Sequence, residues 1–255
     1  MKILVKLGGT LLEEPLLRAS LAGQIAKIAR DGAAVVVVHG GGKQMTRFLA
    51  ERGIESRFVN GLRVTTPETM DAVVKVLAGT VNHELVAAFS KAGACAVGLS
   101  GVDAGLTIAE QMDPALGAVG RVVRSNPALL DLLTGHGYIP VVACMAGDAE
   151  GNMYNVNADQ MAVACAAGFA ADQLVFLTDV EGVLDGAKRL CPELSVADCE
   201  RLIADGIATG GMEAKLNAAA AALRQGVGQV RIAPGATTDV LLRVLKDEPL
   251  GTRLV

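Results

Sequence analysis

Residues 33–43, with the sequence AAVVVVHGGGK, join an unbroken apolar run to three consecutive glycines. A run of valines without polar alternation predicts a strand buried on both faces, as in a parallel sheet. The glycines predict a flexible turn into a helix beginning near Lys43, and the first N–H groups and positive dipole end of that helix favour anions. The stretch therefore predicts a strand, a turn and a helix that together form an anion site. The alternative is a tight turn that binds no ligand.

Apolar runs of the same kind recur, with helix-length amphipathic segments between several of them. The further predicted strands are 3–7, 94–99, 139–144, 174–178 and 230–233. The predicted helices are 16–30, 43–52, 67–91, 127–134, 158–169, 196–205 and 212–225. Two segments without helical period, 57–66 and 105–124, are predicted to be hairpins or lids. The pattern predicts the α/β class, as a three-layer αβα sandwich with a mainly parallel central sheet. A soft boundary near residues 168–172 predicts two lobes, 1–170 and 171–255, that share one sheet.

Composition and charge exclude several classes of protein. Of 255 residues, 51% are hydrophobic and 20% charged, with a formal net charge of −4, so disorder is excluded. The small acidic charge, without long basic runs, argues against partners such as nucleic acid or anionic membrane. The longest apolar stretch, residues 161–171, is short of the ~18 residues that span a bilayer. Five cysteines form no C-x-x-C pair, which predicts reduced thiols in a cytoplasmic protein.

Lys6 is the first candidate for chemistry, because it lies in an apolar predicted strand that ends at Gly8 and Gly9. A lysine in such a strand is costly to bury unless an anion lies beside it. Glycines just beyond a parallel strand also let backbone N–H groups approach a phosphate. The alternative is a surface lysine that extends its ammonium group to solvent, and the segment alone favours this alternative.

Two more motifs carry candidates for ligand binding. Arg63 follows an Asn-Gly turn in NGLRVT (60–65), which suits a carboxylate-binding arginine over a cleft. The alternative is a solvated strand arginine, and the segment alone favours this alternative. In NVNADQ (155–160), Asn157 is a predicted N-cap and Asp159 a first-turn acid that complements the helix dipole. Those structural roles leave Asn155 unexplained.

Two late motifs point to a nucleotide or another anion. TDVEGVLD (178–185) follows a predicted strand, although Asp-x-x-Gly is also ordinary turn chemistry. TGGMEAK (209–215) opens a helix with Lys215 at the unfavourable end of the dipole, and an anion at that end would reverse the sign. The alternative is an exposed lysine that the helix tolerates.

Other chemistries find no support. Gln44 and Val37 depart from the P-loop pattern, and G-x-G-x-x-G is absent from the first turn. The three histidines are scattered and form no metal-binding pattern, so no metal site is predicted. No nucleophilic serine or cysteine motif is present.

Taken in order, KLGG (6–9), HGGG (39–42), NGLRVT, NVNADQ, TDVEGVLD and TGGMEAK resemble the amino acid kinase family over essentially the whole chain. Within it, the motifs are most similar to those of members that phosphorylate N-acetyl-L-glutamate. The resemblance implies an N-terminal lobe for the acylated amino acid and for dimerisation, and a C-terminal lobe for ATP. It implies transfer of phosphate from ATP, with Mg²⁺, to the γ-carboxylate, giving N-acetyl-L-glutamyl 5-phosphate in the second step of arginine biosynthesis.

The resemblance also implies residue roles. Lys6 and Lys215 would be the two cations that stabilise the transferring phosphoryl group, and Asp159 would orient them. The substrate-binding residues would be Gly41, Gly42, Arg63 and Asn155. The nucleotide-binding residues would be Gly9, Asp179, Val180, Glu181, Gly182, Val183, Leu184, Ile207, Ala208 and Thr209.

Two departures and two rivals bear on these expectations. Ala214 stands where many relatives have proline, and the first strand begins at Lys2, where hexameric arginine-inhibited relatives have a preceding helix. A homodimer insensitive to arginine is therefore expected.

One rival is a sister kinase for another acceptor, such as N-succinylglutamate or a carrier-linked aminoadipate. The other is a nucleotide-binding regulatory protein without turnover, which would not need Lys6, Asp159 and Lys215.

Overall fold

The alternation of apolar and amphipathic runs produces fourteen strands and ten α-helices in the computed structural model, which describes all 255 residues. The strands are β1 (Lys2–Leu7), β2 (Ala34–His39), β3 (Phe58–Val59), β4 (Leu62–Arg63), β5 (Ala96–Ser100), β6 (Thr107–Gln111), β7 (Gly120–Ser125), β8 (Ile139–Ala143), β9 (Met145–Gly147), β10 (Met153–Asn155), β11 (Gln173–Thr178), β12 (Glu193–Leu194), β13 (Gln229–Pro234) and β14 (Thr252–Leu254). The helices are α1 (Gly9–Glu13), α2 (Pro15–Arg30), α3 (Gly42–Ala50), α4 (Pro67–Val73), α5 (Asn82–Lys91), α6 (Ala128–Gly135), α7 (Ala158–Gly168), α8 (Val196–Ala204), α9 (Gly210–Arg224) and α10 (Val240–Leu245).

The central sheet has eight strands in the order β12-β14-β13-β11-β1-β2-β8-β5. The strands from β13 to β5 are parallel to one another, and β14 runs antiparallel to β13. Nearly every residue of β1, β2, β8, β11 and β13 is buried, so the sheet is covered on both faces. The predicted α/β class and mainly parallel sheet are confirmed.

Short elements account for most of the differences from the sequence prediction. Helices α1 and α10 have five and six residues, too few to show a helical period, and neither was predicted. Strands β9, β10, β12 and β14 have two or three residues each and were missed for the same reason. Asn155, for which the sequence predicts no structural role, is the last residue of β10.

Two smaller sheets cover the region where the central strands end. The predicted hairpin in 57–66 forms as β3 paired antiparallel with β4. The second irregular segment supplies β6 and β7, which join β9 and β10 in a four-stranded sheet. These sheets bring Arg63 and Asn155 toward the carboxyl edge of β2.

The predicted helix 67–91 forms as one continuous helical run, whose middle, Val74–Val81, has π-helical geometry. By length and composition this run could cross a membrane, with a mean hydropathy of 1.3 over its most apolar window. Such a test is also passed by core helices, and here Val76, Leu77, Leu85 and Phe89 are buried against the rest of the protein. A span was not expected from the sequence, and this single helix is weak evidence for one.

Candidate active site

The glycine turns after β1 and β2 contact each other, because the two strands are neighbours in the parallel sheet. A Cβ on Gly9 would lie 3.3 Å from the Gly42 nitrogen, and a Cβ on Gly40 would lie 3.4 Å from the Ala158 Cβ. The N-termini of α1, α3 and α7 therefore converge at one edge of the sheet. Gly41 has no space for a side chain, since a Cβ there would lie 2.6 Å from the Leu77 Cδ2.

Three charged side chains meet beside these turns. The Asp159 carboxylate lies between two ammonium groups, with 2.7 Å from Oδ1 to the Lys6 Nζ and 3.7 Å from Oδ2 to the Lys215 Nζ. The Lys6 and Asp159 side chains are each 9% exposed and that of Lys215 is 18% exposed. The alternatives of a solvent-exposed Lys6 and an exposed Lys215 are therefore both wrong.

Two of these three charged residues, Asp159 and Lys215, lie near the N-termini of helices α7 and α9. The Asn157 side chain caps α7 by accepting hydrogen bonds from the N–H groups of Asp159 and Gln160, at 2.9 and 3.2 Å, as predicted. Lys215 lies in the second turn of α9, whose N-cap Thr209 makes no side-chain capping bond. Two positive charges and one negative charge, next to helix N-termini, leave a site that favours an anion.

Arg63 is buried beside the same edge and has no carboxylate partner. Its Nη2 donates to the Gly42 carbonyl at 3.0 Å and to the Thr46 Oγ1 at 2.8 Å, and its Nη1 donates to the Ser56 hydroxyl. Burial lowers the pKa of this guanidinium from its ordinary value. The alternative of a solvated strand arginine is wrong, and a buried cation without a counter-charge fits an anionic ligand.

Two hydrogen bonds of the Thr65 hydroxyl connect Asn155 to Arg63. The Asn155 Nδ2 donates to the Thr65 Oγ1 at 3.0 Å, and that hydroxyl donates to the Arg63 carbonyl at 2.8 Å. A cavity of about 200 Å³ joins the substrate-binding candidates, and its lining includes Gly41, Gly42, Arg63, Asn155, Met45, Val73, Leu77, Val119 and Cys144. The cavity thus has polar groups on one side and an apolar remainder, as small-molecule sites do.

The nucleotide-binding candidates lie in the loop after β11 and just before α9. Val180, Leu184 and Ile207 are exposed apolar side chains, 41%, 44% and 40% exposed. A Cβ on Gly186 would lie 3.3 Å from the Ile207 Cδ1, so the two segments are in contact. Exposed apolar side chains next to a helix N-terminus can accept a planar base and its phosphates.

Several other nucleotide-binding candidates are buried and connect this loop to neighbouring parts of the protein. Val183 is fully buried and its N–H donates to the Thr252 Oγ1 at 2.9 Å, and Ala208 is 4% exposed. Gly182 has φ +151°, and a Cβ there would lie 2.7 Å from the Leu190 Cδ1. Asp179 stands at the end of β11, where its carboxylate accepts from the Thr178 hydroxyl at 3.2 Å.

Comparison with known proteins decides the family. Residues 1–234 match the profile described as the amino acid kinase family. The chain belongs to the amino acid kinase family. This amino acid kinase is 65% identical to an acetylglutamate kinase of Solibacter usitatus, over all of this chain and 99% of the relative. It is 45% identical to an acetylglutamate kinase of Koribacter versatilis, with the same coverage of both chains.

Solved structures agree on the fold of this amino acid kinase. N-acetylglutamate synthase of Neisseria gonorrhoeae, in a complex with coenzyme A and N-acetyl-glutamate, aligns with a TM-score of 0.89 and 25% identity. The chain covers 59% of that synthase's length. Carbamate kinase of Giardia lamblia aligns with a TM-score of 0.74 at 18% identity, which supports the fold alone.

Three residues of this amino acid kinase site escaped the sequence analysis. Thr65 and Thr46 hold Asn155 and Arg63, and their hydroxyls gave no signal because threonine is ordinary in hairpins and helices. Cys144 lines the cavity, and burial raises the pKa of its thiol to about 11, so it stays protonated. No group of three or more His, Cys, Asp or Glu side chains is placed to hold a metal ion.

Proposed function

We propose that this amino acid kinase transfers the γ-phosphoryl group of ATP to the γ-carboxylate of N-acetyl-L-glutamate, giving N-acetyl-L-glutamyl 5-phosphate in arginine biosynthesis. The observation that carries the proposal is the Lys6–Asp159–Lys215 cluster, which lies beside the glycine turns of the cavity that Arg63 lines. Relatives named acetylglutamate kinase, at 65% and 45% identity over the full chain, support the same activity.

The chemistry requires positioning and charge neutralisation more than proton transfer. A γ-carboxylate is already an anionic nucleophile at neutral pH, so no general base is needed. Lys6 and Lys215 would neutralise charge on the equatorial oxygens of the transferring group, and Asp159 holds both ammonium groups in place. The N–H groups of Gly9, Gly41 and Gly42 would bind the two reacting anions.

Arg63 and Asn155 would hold the α-carboxylate of the substrate. Arg63 is the cation that lines the 200 Å³ cavity, and the remaining walls are mostly apolar. An acetyl group would lie against this apolar part. A succinyl group would bring a second carboxylate with no cation to pair it, at a high desolvation cost.

ATP would lie on the exposed side chains of Val180, Leu184 and Ile207, with its phosphates at Gly9 and at the N-terminus of α9. Glu181 and Thr209 would border the same site. We propose that ATP enters as its Mg²⁺ complex, since Mg²⁺ in kinases is held largely by phosphate oxygens and water. The metal would supply further neutralisation of phosphate charge.

A hydroxylamine-trapping assay tests the proposed function. With ATP and Mg²⁺, N-acetylglutamate should yield a hydroxamate, while N-succinylglutamate, free glutamate and aspartate should yield none or far less. Turnover with another acceptor alone would contradict the proposed substrate and keep the kinase chemistry. No hydroxamate from any acceptor would favour the binding-protein alternative.

Replacing Arg63 with lysine tests the carboxylate site. Lysine keeps the charge but cannot donate in a bidentate arrangement. We expect the KM for N-acetylglutamate to rise roughly 10- to 100-fold, the effect of losing one charge-assisted hydrogen bond. The KM for ATP should change little, and an equal rise in both constants would contradict a role in binding the α-carboxylate.

We also propose a cytoplasmic homodimer with lobes 1–170 and 171–255, in which the N-terminal lobe forms the interface. Strand β5 is at the edge of the central sheet, with Ala96, Val97 and Leu99 only partly buried. Apolar edge strands invite pairing with a second copy, and a two-fold interface would extend the sheet. Light scattering should give twice the 26.1 kDa of one chain, and a monomer at micromolar concentration would contradict the proposal.

A further inference from the structure

A buried pair of polar side chains, His39 and Asn82, lies directly beneath the glycine turn that follows β2. His39 is the last residue of β2, is fully buried and lies between Leu7 of β1 and Ala143 of β8 in the sheet register. Asn82 begins α5 and is 1% exposed. Neither side chain is hydrogen bonded to Lys6 or Lys215, and the proposed mechanism gives neither a role.

Hydrogen bonds fix the orientation of both side chains. The Asn82 Nδ2 donates to the Val141 carbonyl at 2.9 Å and lies 3.0 Å from the His39 Nε2. The same nitrogen lies 3.3 Å from the Leu99 carbonyl, so three acceptors share its two hydrogens, and toward the His39 Nε2 it can only donate. The proton of the neutral ring is therefore on Nδ1, which donates to the Gly40 carbonyl at 2.9 Å. Burial lowers the pKa of His39 to about 4, so the ring is neutral at neutral pH.

The fixed carbonyl of Gly40 determines the direction of the next N–H group. The Gly40 C=O and the Gly41 N–H belong to one planar trans peptide and point in opposite directions. Holding the carbonyl on the His39 ring thus turns the Gly41 N–H away from the ring. The N–H groups of Gly41 and Gly42 make no hydrogen bond within the protein, and both residues line the cavity.

We infer that His39 and Asn82 are positioning residues that aim the Gly41 N–H at the acceptor substrate. This inference rests on the proposed function, in which Gly41 binds N-acetylglutamate. Gly98 supports the same arrangement, because a Cβ there would lie 2.0 Å from the Asn82 Oδ1. The glycine leaves the space that the Asn82 amide occupies.

Three substitutions of His39 separate positioning from simple packing. His39→Asn keeps an N–H donor near the Nδ1 position, His39→Gln places its amide near the Nε2 position, and His39→Phe removes both. We expect the KM for N-acetylglutamate to rise about tenfold in His39→Gln and His39→Phe, the loss of one hydrogen bond, with the KM for ATP unchanged. His39→Asn should restore the KM to within about threefold of the unmodified enzyme.

An unchanged KM in His39→Phe, or no recovery in His39→Asn, would overturn the inference. If a variant fails to fold, ¹⁵N NMR of the histidine-labelled unmodified enzyme still decides, since an Nε2–H tautomer at His39 would also overturn it. Gly98→Ala offers a remote check, because displacement of Asn82 should raise the same KM. Lack of any N-acetylglutamate turnover in the unmodified enzyme would instead contradict the proposed function.

Discussion

Replacement of Lys215 with alanine is expected to lower kcat about 10³-fold, the upper end of the loss seen when one preorganised donor to a developing charge is removed. Lys215 has its ammonium group 3.7 Å from Asp159 and is mostly buried next to the α9 N-terminus. Lys6 remains paired with Asp159 in this variant, so the fold should survive. The affinity for ATP should stay within about threefold, because other contacts hold the nucleotide.

Kinetics and calorimetry together check this expectation. The hydroxamate assay gives kcat, and titration with a non-hydrolysable ATP analogue gives the affinity of the nucleotide. Lys27→Ala is the matched control, since Lys27 is an exposed lysine in an i,i+4 pair with Asp31 and should leave kcat unchanged. Equal losses of turnover and nucleotide affinity in Lys215→Ala would indicate a purely structural lysine.

Asp159→Asn is expected to lower both the Tm and kcat. The substitution keeps the shape but removes the charge that lies between two ammonium groups, one of them the buried Lys6 Nζ at 2.7 Å. Breaking a buried ion pair in this way costs about 3–5 kcal/mol, which corresponds to a fall in Tm of about 10 °C for a chain of this length. We expect kcat to fall at least about 10²-fold, because both lysines lose their orientation.

The Tm measured with added ATP distinguishes the loss of the Asp159 charge from a general loss of stability. The phosphates of ATP would supply negative charge near Lys6 and Lys215, so ATP should raise the Tm of Asp159→Asn more than that of the unmodified enzyme. Asp31→Asn, at an exposed ion pair, should leave the Tm nearly unchanged. A normal Tm in Asp159→Asn would contradict the proposed balance of charges.

The strands of the central sheet were the most predictable part of the fold. An apolar run such as the one preceding His39 is typical of a strand buried on both faces of a sheet. A long amphipathic helix such as α2 is indicated by the helical spacing of its apolar residues. Short elements such as β10 and α1 contain too few residues for a period. Their structure depends on contacts with distant segments, which local sequence does not encode.

The candidate site was predictable where a residue was locally anomalous. Lys6 in a buried strand and Lys215 near a helix start both contradict local preference, and the structure brings both to Asp159. The roles assigned to these residues remain predictions. His39 and Thr65 lie in motifs that the sequence analysis singled out, but their roles could not be predicted because their partners, Asn82 and Asn155, are 43 and 90 positions away.

The π-helical segment Val74–Val81 also limits where the protein can accept an added residue. It carries Leu77 and Val81 against Gly41 and ends immediately before Asn82. Insertion of a further codon inside it would move every later residue of the helix out of phase, since π-helical turns already hold more than the 3.6 residues of an α-helical turn. Asn82 would then leave its partners beneath the sheet. Insertions are therefore expected to be tolerated in the surface loops and eliminated from this segment.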